Sequence, residues 1–360
     1  MTRNGTTTTI DPARVEAFGG QLLSIANGGA LALMISIGHR TRLFDAMAEL
    51  PPSTSEEIAA EAGLDERYVR EWLGAMTTGR IVEHDPVTGR YVLPPEHAAL
   101  TTRKAAPDNL ALIMQYVGLL GTVEDRIVEC FHRGGGVPYS AYGRFHEVMA
   151  EDSGQTVLAA LESRILPLAP GLVERLESGI EVLDVGCGRG RAINLLARSF
   201  PASRFTGVDL SPDAIAYARA EARRHGSGNV VFETKDAAQL DHEARFDLVT
   251  AFDAIHDQAD PAAVLANMRR ALRGDGLFLM QDIKGCSHVH GNLDNPLAPL
   301  LYTISCMHCM TVSLARGGAG LGAMWGKERA LGMLAEAGFS DVAVEELDHD
   351  LQNYYYLARP

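Results

Sequence analysis

The stretch Glu181-Val-Leu-Asp-Val-Gly-Cys-Gly-Arg-Gly190 decides the fold of this chain. Its first half is an apolar sequence that favours a buried strand, and its second half is a glycine-rich turn. Glycines at this place let the backbone approach a ligand closely at the carboxyl edge of the first strand of an α/β sheet. No Gly-Lys-Ser or Gly-Lys-Thr follows, which excludes a P-loop, and the spacing differs from the Gly-x-Gly-x-x-Gly dinucleotide fingerprint. Asp184, before the glycines, is suited to hold the ammonium of an amino-acid ligand directly or through water.

Acidic residues also end the following strands. Asp209 follows Phe205-Thr-Gly-Val, and an acid at the end of a second strand typically accepts hydrogen bonds from both ribose hydroxyls. Asp236 ends the third strand and is placed to contact an adenine amine. The fourth strand runs into His256-Asp257. The sequence therefore predicts a nucleoside-binding edge.

From residue 180 onward, strand patterns alternate with helix patterns, which is typical of an α/β fold with a mainly parallel sheet. The predicted strands cover 180–185, 204–209, 230–234, 246–251, 276–282, 340–347 and 353–358. We therefore expect a seven-stranded Rossmann-like sheet.

The N-terminal half has a different pattern. Ser53-Thr-Ser55 and Asp65 are helix N-cap signals, and two short extended segments, 81–83 and 91–93, flank a turn. Two helices followed by a hairpin predict a winged helix. Residues 13–50 carry a wide apolar helical stripe, which favours burial against a second chain. The expected divisions are a polar tail at 1–12, a helical winged-helix dimerisation domain at 13–105, linker and lid helices at 106–175, and the α/β domain at 176–360.

Composition narrows the function further. The chain has 360 residues, 46% of them hydrophobic and 22% charged, which suits a globular protein of two domains. Its net charge of −14 argues against a general nucleic-acid binder, which needs cations for phosphate. Five scattered cysteines predict reduced thiols rather than a disulfide framework. No uncharged apolar run reaches the roughly 18 residues of a membrane span, and no secretory signal is recognisable, so we expect a cytoplasmic protein without a membrane partner.

With these strand ends in place, the chain over about 180–360 resembles the S-adenosylmethionine-dependent methyltransferases of the Rossmann-like kind. The resemblance implies S-adenosylmethionine as cofactor and S-adenosylhomocysteine as product. It implies that the last strand is antiparallel and carries Tyr354-Tyr-Tyr356. It assigns to the cofactor the residues Asp184, Gly186, Cys187 and Gly188 at the methionine part, Asp209 and Leu210 at the ribose, and Asp236 and Ala237 at the adenine.

A second, narrower resemblance is to the winged-helix O-methyltransferases of plant phenylpropanoid and bacterial polyketide pathways. Those enzymes carry a Phe-Asn-x-x-Met helix before the glycine loop, and Phe145-His-Glu-Val-Met149 is similar. The resemblance implies that Phe145 and Met149 line the acceptor pocket and that Ser153 contacts the cofactor. His146 departs from the usual Asn.

The same resemblance implies the catalytic residues. A His-Asp pair follows the fourth strand in those enzymes, and His256-Asp257 matches it, with Phe252 at a cofactor contact and Asp257 at the substrate. Asp282 ends the fifth strand, where an acid orients the catalytic histidine. His256 would then take the proton of an acceptor hydroxyl, since an unperturbed imidazole is mostly neutral at pH 7. The alternative is that His256 only caps or supports the neighbouring loop.

Cys306-Met-His308-Cys309 allows two interpretations. A Cys-x-x-Cys pair can bind a metal or a metalloid, as in arsenite methyltransferases, but no second pair completes a zinc site. A helix over 300–314 would instead place these residues in a core or pocket wall. We expect no metal site, His308 as a substrate contact, and Trp325 in a loop near the acceptor.

The winged helix also raises DNA binding as a rival function. Its second helix, starting at Asp65, has more acids than its two arginines, so little attracts phosphate. By resemblance, this domain forms a homodimer, and no nucleic acid is expected. The remaining alternatives are a winged-helix regulator that senses S-adenosylmethionine and a protein that binds the cofactor without catalysis. The favoured function is methylation, preferably at oxygen, of a small aromatic or lipophilic acceptor.

Overall fold

The structure is a computed structural model that describes residues 10–360. The chain divides into two compact units, one that ends at Gly118 and one that spans Leu119–Pro360. The predicted tail lies mostly outside the described residues. The predicted boundaries near 105 and 175 stay predictions.

The N-terminal unit is helical apart from one hairpin. Its elements are α1 (Pro12–Thr41), α2 (Leu43–Glu49), α3 (Ser55–Ala62), α4 (Glu66–Thr78), β1 (Glu83–Asp85), β2 (Arg90–Val92) and α5 (Pro95–Thr101). Thr54 caps α3 in a capping box with Glu57, and Asp65 caps α4. The edge-to-face pair of Phe44 and Trp72, with ring centroids 5.1 Å apart, forms part of the core. The helices and hairpin form the winged helix that the sequence predicts.

Helix α1 differs from its prediction. It is the one described helix with the length and apolar composition to cross a membrane, with a mean hydropathy of 1.5 over 18 residues. The expectation that no apolar stretch reaches this length is therefore wrong. Only 22% of that window is buried within the structure, and Phe18, Leu22 and Leu23 are exposed.

The C-terminal unit is a sheet with helices. Helix α6 (Gln115–Gly121) crosses the boundary between the units. The further helices are α7 (Glu124–Arg133), α8 (Phe145–Ser153), α9 (Leu172–Ser178), α10 (Arg191–Ser199), α11 (Pro212–His225), α12 (Pro261–Ala271), α13 (Ala298–Ile304), α14 (Met310–Leu314) and α15 (Gly326–Glu336). The strands are β3 (Glu181–Val185), β4 (Arg204–Asp209), β5 (Val230–Thr234), β6 (Phe246–Phe252), β7 (Leu272–Ile283), β8 (Asp341–Glu345) and β9 (Asn353–Arg359). A π-helical turn at 305–309 joins α13 to α14, so the helix predicted over 300–314 is interrupted.

The seven strands form one sheet in the order β5-β4-β3-β6-β7-β9-β8. Strands β3 to β7 pair in parallel, whereas β9 is antiparallel to both β7 and β8. This confirms the predicted fold and the antiparallel last strand. The chain reverses its direction of winding between β3 and β6, and open α/β sheets bind ligands at the carboxyl ends of the strands beside such a reversal.

Both faces of the sheet are covered by apolar side chains. Leu183 and Val249 belong to the cluster on one face, and Val182 and Leu248 belong to the cluster on the other. Alternation along each strand places successive side chains on opposite faces, and burial of each such side chain stabilises the fold by about 1.5–3 kcal/mol. The packed sheet thus fixes the positions of the loops at its carboxyl edge.

Candidate active site

A cavity of about 780 Å³ lies at the carboxyl ends of β3 to β6. Every residue that the sequence assigns to the cofactor lines it: Ser153, Asp184, Gly186, Cys187, Gly188, Asp209, Leu210, Asp236, Ala237 and Phe252. Of the predicted acceptor residues, Phe145, Met149 and Asp257 line it as well. The predicted residues His256, Asp282, His308 and Trp325 are not in its lining.

The glycine loop and Asp209 form one hydrogen-bonded unit. The backbone N–H of Gly188 donates to Asp209 Oδ2 at 2.8 Å, and the N–H of Ser211 donates to Oδ1 at 2.8 Å. Gly186 has a φ of +69°, and a Cβ there would lie 2.5 Å from the Cβ of Ala254. Position 186 therefore needs glycine. The two N–H groups hold the Asp209 carboxylate and leave some of its oxygen lone pairs free to accept hydrogen bonds from ribose hydroxyls.

Asp184 lies below the loop and is 3% exposed. The hydroxyl of Thr250 donates to its Oδ1 at 2.7 Å. Burial raises the pKa of Asp184 to about 7, against the opposite effect of the Thr250 hydrogen bond. An ammonium ion bound beside this carboxyl would stabilise its ionised form, which fits the predicted role at the methionine part.

Asp236 accepts from the backbone N–H of Ala238 at 3.0 Å and from Arg316 Nη2 at 2.8 Å. Arg316 also lines the cavity, and sequence reasoning missed it. Its pairing uses Oδ2 of Asp236, so an adenine amine would share this carboxylate with the arginine.

His256 and Asp282 form the predicted pair. His256 Nδ1 lies 2.8 Å from Asp282 Oδ1, which also accepts from Trp325 Nε1 at 3.0 Å. His256 is 2% exposed and Asp282 is fully buried. The thiol of Cys309 contacts the His256 ring as a hydrogen-bond partner.

The protonation of His256 differs from the sequence expectation. Burial by itself lowers its pKa, but the negative charge and hydrogen bond of Asp282 outweigh burial and raise the pKa well above its usual value. The carboxylate of Asp282 therefore favours the protonated form of His256. In that form, His256 must lose its proton before it can accept another.

The lining of the cavity also contains two tyrosines that sequence reasoning missed. Tyr139 Oη donates to Asp257 Oδ2 at 3.0 Å, and Tyr142 donates to the carbonyl of Met307. Burial raises the pKa of Asp257 to about 6. Only an aromatic-rich segment after Gly134-Gly-Gly136 could have signalled the tyrosines, and no periodic pattern marks it.

Comparisons with known proteins agree with this geometry. Residues 176–338 match a family model described as a methyltransferase domain, and residues 29–103 match an Rv2258c-like winged HTH domain. Fatty-acid O-methyltransferase of Mycolicibacterium smegmatis is 36% identical over 107 residues, which are 29% of this chain and 38% of that protein. The chain covers between 35% and 50% of the length of eight curated relatives that it matches.

Solved structures are similar over nearly the whole chain. Human N-acetylserotonin methyltransferase in complex with S-adenosylmethionine has a TM-score of 0.68 at 18% identity, over 98% of this chain and 99% of that chain. PigF with S-adenosylhomocysteine has a TM-score of 0.68 at 17% identity, over 95% of this chain and 99% of that chain.

The chain therefore carries a methyltransferase domain preceded by a winged helix-turn-helix domain, and it has the fold of S-adenosylmethionine-dependent methyltransferases. The glycine cradle and the free carboxylate lone pairs of Asp209 fit the adenosyl part of S-adenosylmethionine.

Proposed function

We propose that this protein transfers the methyl group of S-adenosylmethionine to an oxygen of a small-molecule acceptor. The observation that carries the proposal is the convergence of all the predicted cofactor residues on one cavity at the sheet edge. Phe145, Met149 and Asp257 line the same cavity, so donor and acceptor would meet in one space.

Calorimetric titration tests the donor half of the proposal. We expect S-adenosylmethionine and S-adenosylhomocysteine to bind with micromolar affinity and NAD not to bind. Asp209→Ala should abolish this binding because the ribose loses its acceptors, whereas Asp275→Ala, at an exposed position, should leave it unchanged. Binding of NAD in place of the adenosyl ligands would refute the proposal.

We further propose His256 as the proton acceptor and Asp282 as the residue that orients it. When bound, the cofactor supplies a methyl group already activated by its sulfonium. The Asp282 hydrogen bond engages Nδ1, so the acceptor proton would go to Nε2 once the acceptor replaces Cys309 beside the ring. Deprotonation of the acceptor hydroxyl strengthens it as a nucleophile, and proximity within the cavity contributes several kcal/mol.

Substitution of His256 tests this role once an acceptor is found by mass-spectrometric screening. His256→Ala should lower kcat roughly a hundredfold or more, with S-adenosylhomocysteine affinity unchanged. His225→Ala, at a surface histidine, is the matched control. Near-normal turnover of His256→Ala would remove the base role.

We propose a homodimer in which α1 is covered by the second copy. Along the N-terminal two thirds of α1, large apolar side chains such as Phe18, Leu22 and Leu23 are exposed. A contiguous apolar patch of this kind marks an interaction site. A cytoplasmic location without a membrane partner belongs to the same proposal.

Analytical ultracentrifugation with a vesicle-flotation assay tests both parts. The wild-type protein should sediment as a dimer and not float. Leu23→Glu should yield monomers, and Leu351→Glu, at an exposed loop position, should not. A monomeric wild-type protein that floats with vesicles would replace the dimer with a membrane anchor.

The described contacts support neither DNA binding by the winged helix nor metalloid binding by Cys306 and Cys309. Arg67 and Arg70 of α4 pair with Glu71 and Glu66, at 2.6 Å and 3.1 Å, which reduces their attraction for phosphate. Burial raises the pKa values of the Cys306 and Cys309 thiols, and this disfavours the thiolates that bind metalloids.

A further inference from the structure

Within the described part of the chain, four cationic side chains line the cavity: Arg189, Arg191, Lys235 and Arg316. Three of them have an aromatic or acidic partner, in the pairs Arg189 with Tyr217, Lys235 with Asp241, and Arg316 with Asp236. Arg191 forms no ion pair with a carboxylate among the same described residues, although it faces the cavity. A guanidinium in this situation is suited to pair with an anionic group of a ligand.

Arg191 connects two walls of the cavity. It is the first residue of α10 and directly follows the glycine loop. Its Nη1 donates to the backbone carbonyl of Ala150, in the last turn of α8, at 2.5 Å. A Cβ at Gly154 would lie 3.5 Å from the same Nη1, so the guanidinium lies beside the carboxyl end of α8. The predicted cofactor contact Ser153 is at this end of α8 and also lines the cavity.

Helix α8 itself is held by few buried side chains. Two of its nine residues, Phe145 and Val148, are buried, and its N-cap makes no side-chain hydrogen bond. Two π-helical turns, at 154–158 and 161–165, follow it in place of a regular helix. Segments that bury few apolar side chains open locally at a low free energy. The bond from Arg191 to Ala150 is therefore one of the contacts that set how firmly α8 is held against the glycine loop.

The cofactor of the proposed reaction brings an anionic group to this place. Its methionine part carries both an ammonium and a carboxylate, and the carboxyl of Asp184 is suited to the ammonium alone. The Ala150 carbonyl occupies one N–H group of the Arg191 guanidinium. The remaining N–H groups stay free for a carboxylate, which arginine binds through parallel hydrogen bonds.

We propose that Arg191 binds the α-carboxylate of the methionine part while it keeps its bond to Ala150, so that the bound cofactor fastens α8 to the glycine loop. This inference rests on the proposed methyl transfer. Arg191 is exposed, and a long side chain loses rotamer freedom when it makes either contact. A carboxylate that already fixes the guanidinium lowers the entropy cost of its bond to α8. Because α8 carries Phe145 and Met149, the carboxylate would also order the wall proposed for the acceptor.

Calorimetry with two ligands separates the carboxylate from the rest of the cofactor. S-adenosylhomocysteine and its decarboxylated analogue, S-adenosyl-3-thiopropylamine, share the ammonium, but the analogue lacks the carboxylate. We expect the wild-type protein to bind S-adenosylhomocysteine about tenfold more tightly than the analogue, since hydrogen bonds between charged groups are strong. Arg191→Met should bind both ligands with nearly equal affinity, and Arg191→Lys should keep part of the preference because it keeps the charge.

Arg198→Met is the matched control, because Arg198 is an exposed arginine on the same helix, and it should keep the full preference. A wild-type protein with equal affinities for the two ligands would overturn the inference. An Arg191→Met variant that keeps the wild-type preference would overturn it as well.

Hydrogen exchange of the α8 amides tests the link between the carboxylate and this helix. In the wild-type protein saturated with ligand, these amides should exchange several-fold more slowly with S-adenosylhomocysteine than with the analogue. In Arg191→Met, the two complexes should exchange at the same rate. Equal protection of α8 by both ligands in the wild type would refute the link. Failure of S-adenosylhomocysteine to bind would refute the proposed function, whereas its binding without a preference over the analogue would refute the role of Arg191 alone.

Discussion

Replacement of Asp184 by asparagine should raise the stability of the unliganded protein at high pH. It should also remove the pH dependence that this residue contributes to the free energy of unfolding. Asp184 is buried, and burial raises its pKa to about 7 from an ordinary value near 4. The folded state therefore keeps a proton between pH 4 and pH 7 that the unfolded state releases. By linkage, the stability contributed by this group falls as pH rises through that window.

The magnitude follows from the size of the shift. Each pKa unit corresponds to about 1.4 kcal/mol, so the ionised carboxyl costs roughly 4 kcal/mol above pH 7. Asp184→Asn removes the charge but keeps an Oδ1 acceptor for Thr250. We expect the variant to match the wild type at pH 4 and to exceed its free energy of unfolding by up to roughly 4 kcal/mol at pH 8. The same variant should bind S-adenosylmethionine more weakly, because the ammonium loses its carboxylate.

Urea unfolding followed by tryptophan fluorescence measures this effect. Trp72 lies in the N-terminal unit and Trp325 in the C-terminal unit, so a Trp72→Phe background isolates the signal of the methyltransferase domain. Asp275→Asn, at an exposed position, is the control and should change little at any pH. An Asp184→Asn variant that is no more stable at pH 8, or whose gain is the same at every pH, would refute the reasoning.

Three further predictions follow from the site. Methyl transfer should accelerate as pH rises above neutrality because Asp282 holds His256 protonated, and a kcat profile already flat at pH 6 would contradict this. Trp325→Phe removes a donor to Asp282 and should lower kcat roughly tenfold with cofactor affinity kept; a large loss of calorimetric affinity would point to misfolding instead. Gly190→Ala should destabilise the fold by roughly 2–4 kcal/mol, since a Cβ would lie 2.7 Å from two neighbouring side chains at a φ of +68°. Gly226→Ala, at the same φ with nothing within 4 Å, should cost only about 1 kcal/mol in the same denaturation assay.

The sequence pattern was sufficient to predict the strands of the sheet, because the alternation of side chains in a strand and the positions of glycines are properties of short segments. The predicted strand 204–209 agrees with β4, and the predicted strand 230–234 agrees with β5. Strand β7 starts at Leu272, four residues before its prediction, because Phe246 pairs with Leu272 ahead of a register irregularity whose extra residues lie on β7. The irregular segment contains Gly274-Asp-Gly276, which is typical of a turn, so the sequence pattern places the start of the strand after it.

The cavity residues that the sequence did not predict are those whose partners lie far away in the sequence. Tyr139 contacts Asp257 across 118 positions, and Arg316 contacts Asp236 across 80. Neither residue stands in a periodic pattern or a motif. Their roles come from loops and helices that fold back on the sheet edge, so no local rule could assign them.

The sequence by itself determined which residues end the strands, since parallel strands bring their carboxyl ends to one edge whatever the loops do. Tertiary structure alone decided the access and charge of His256. Its burial, its contact with Cys309 and the rise of its pKa beside Asp282 depend on side chains that only the folded chain brings together. The reason is physical: a pKa responds to desolvation and to nearby charge, and both are properties of the three-dimensional surroundings rather than of sequence spacing.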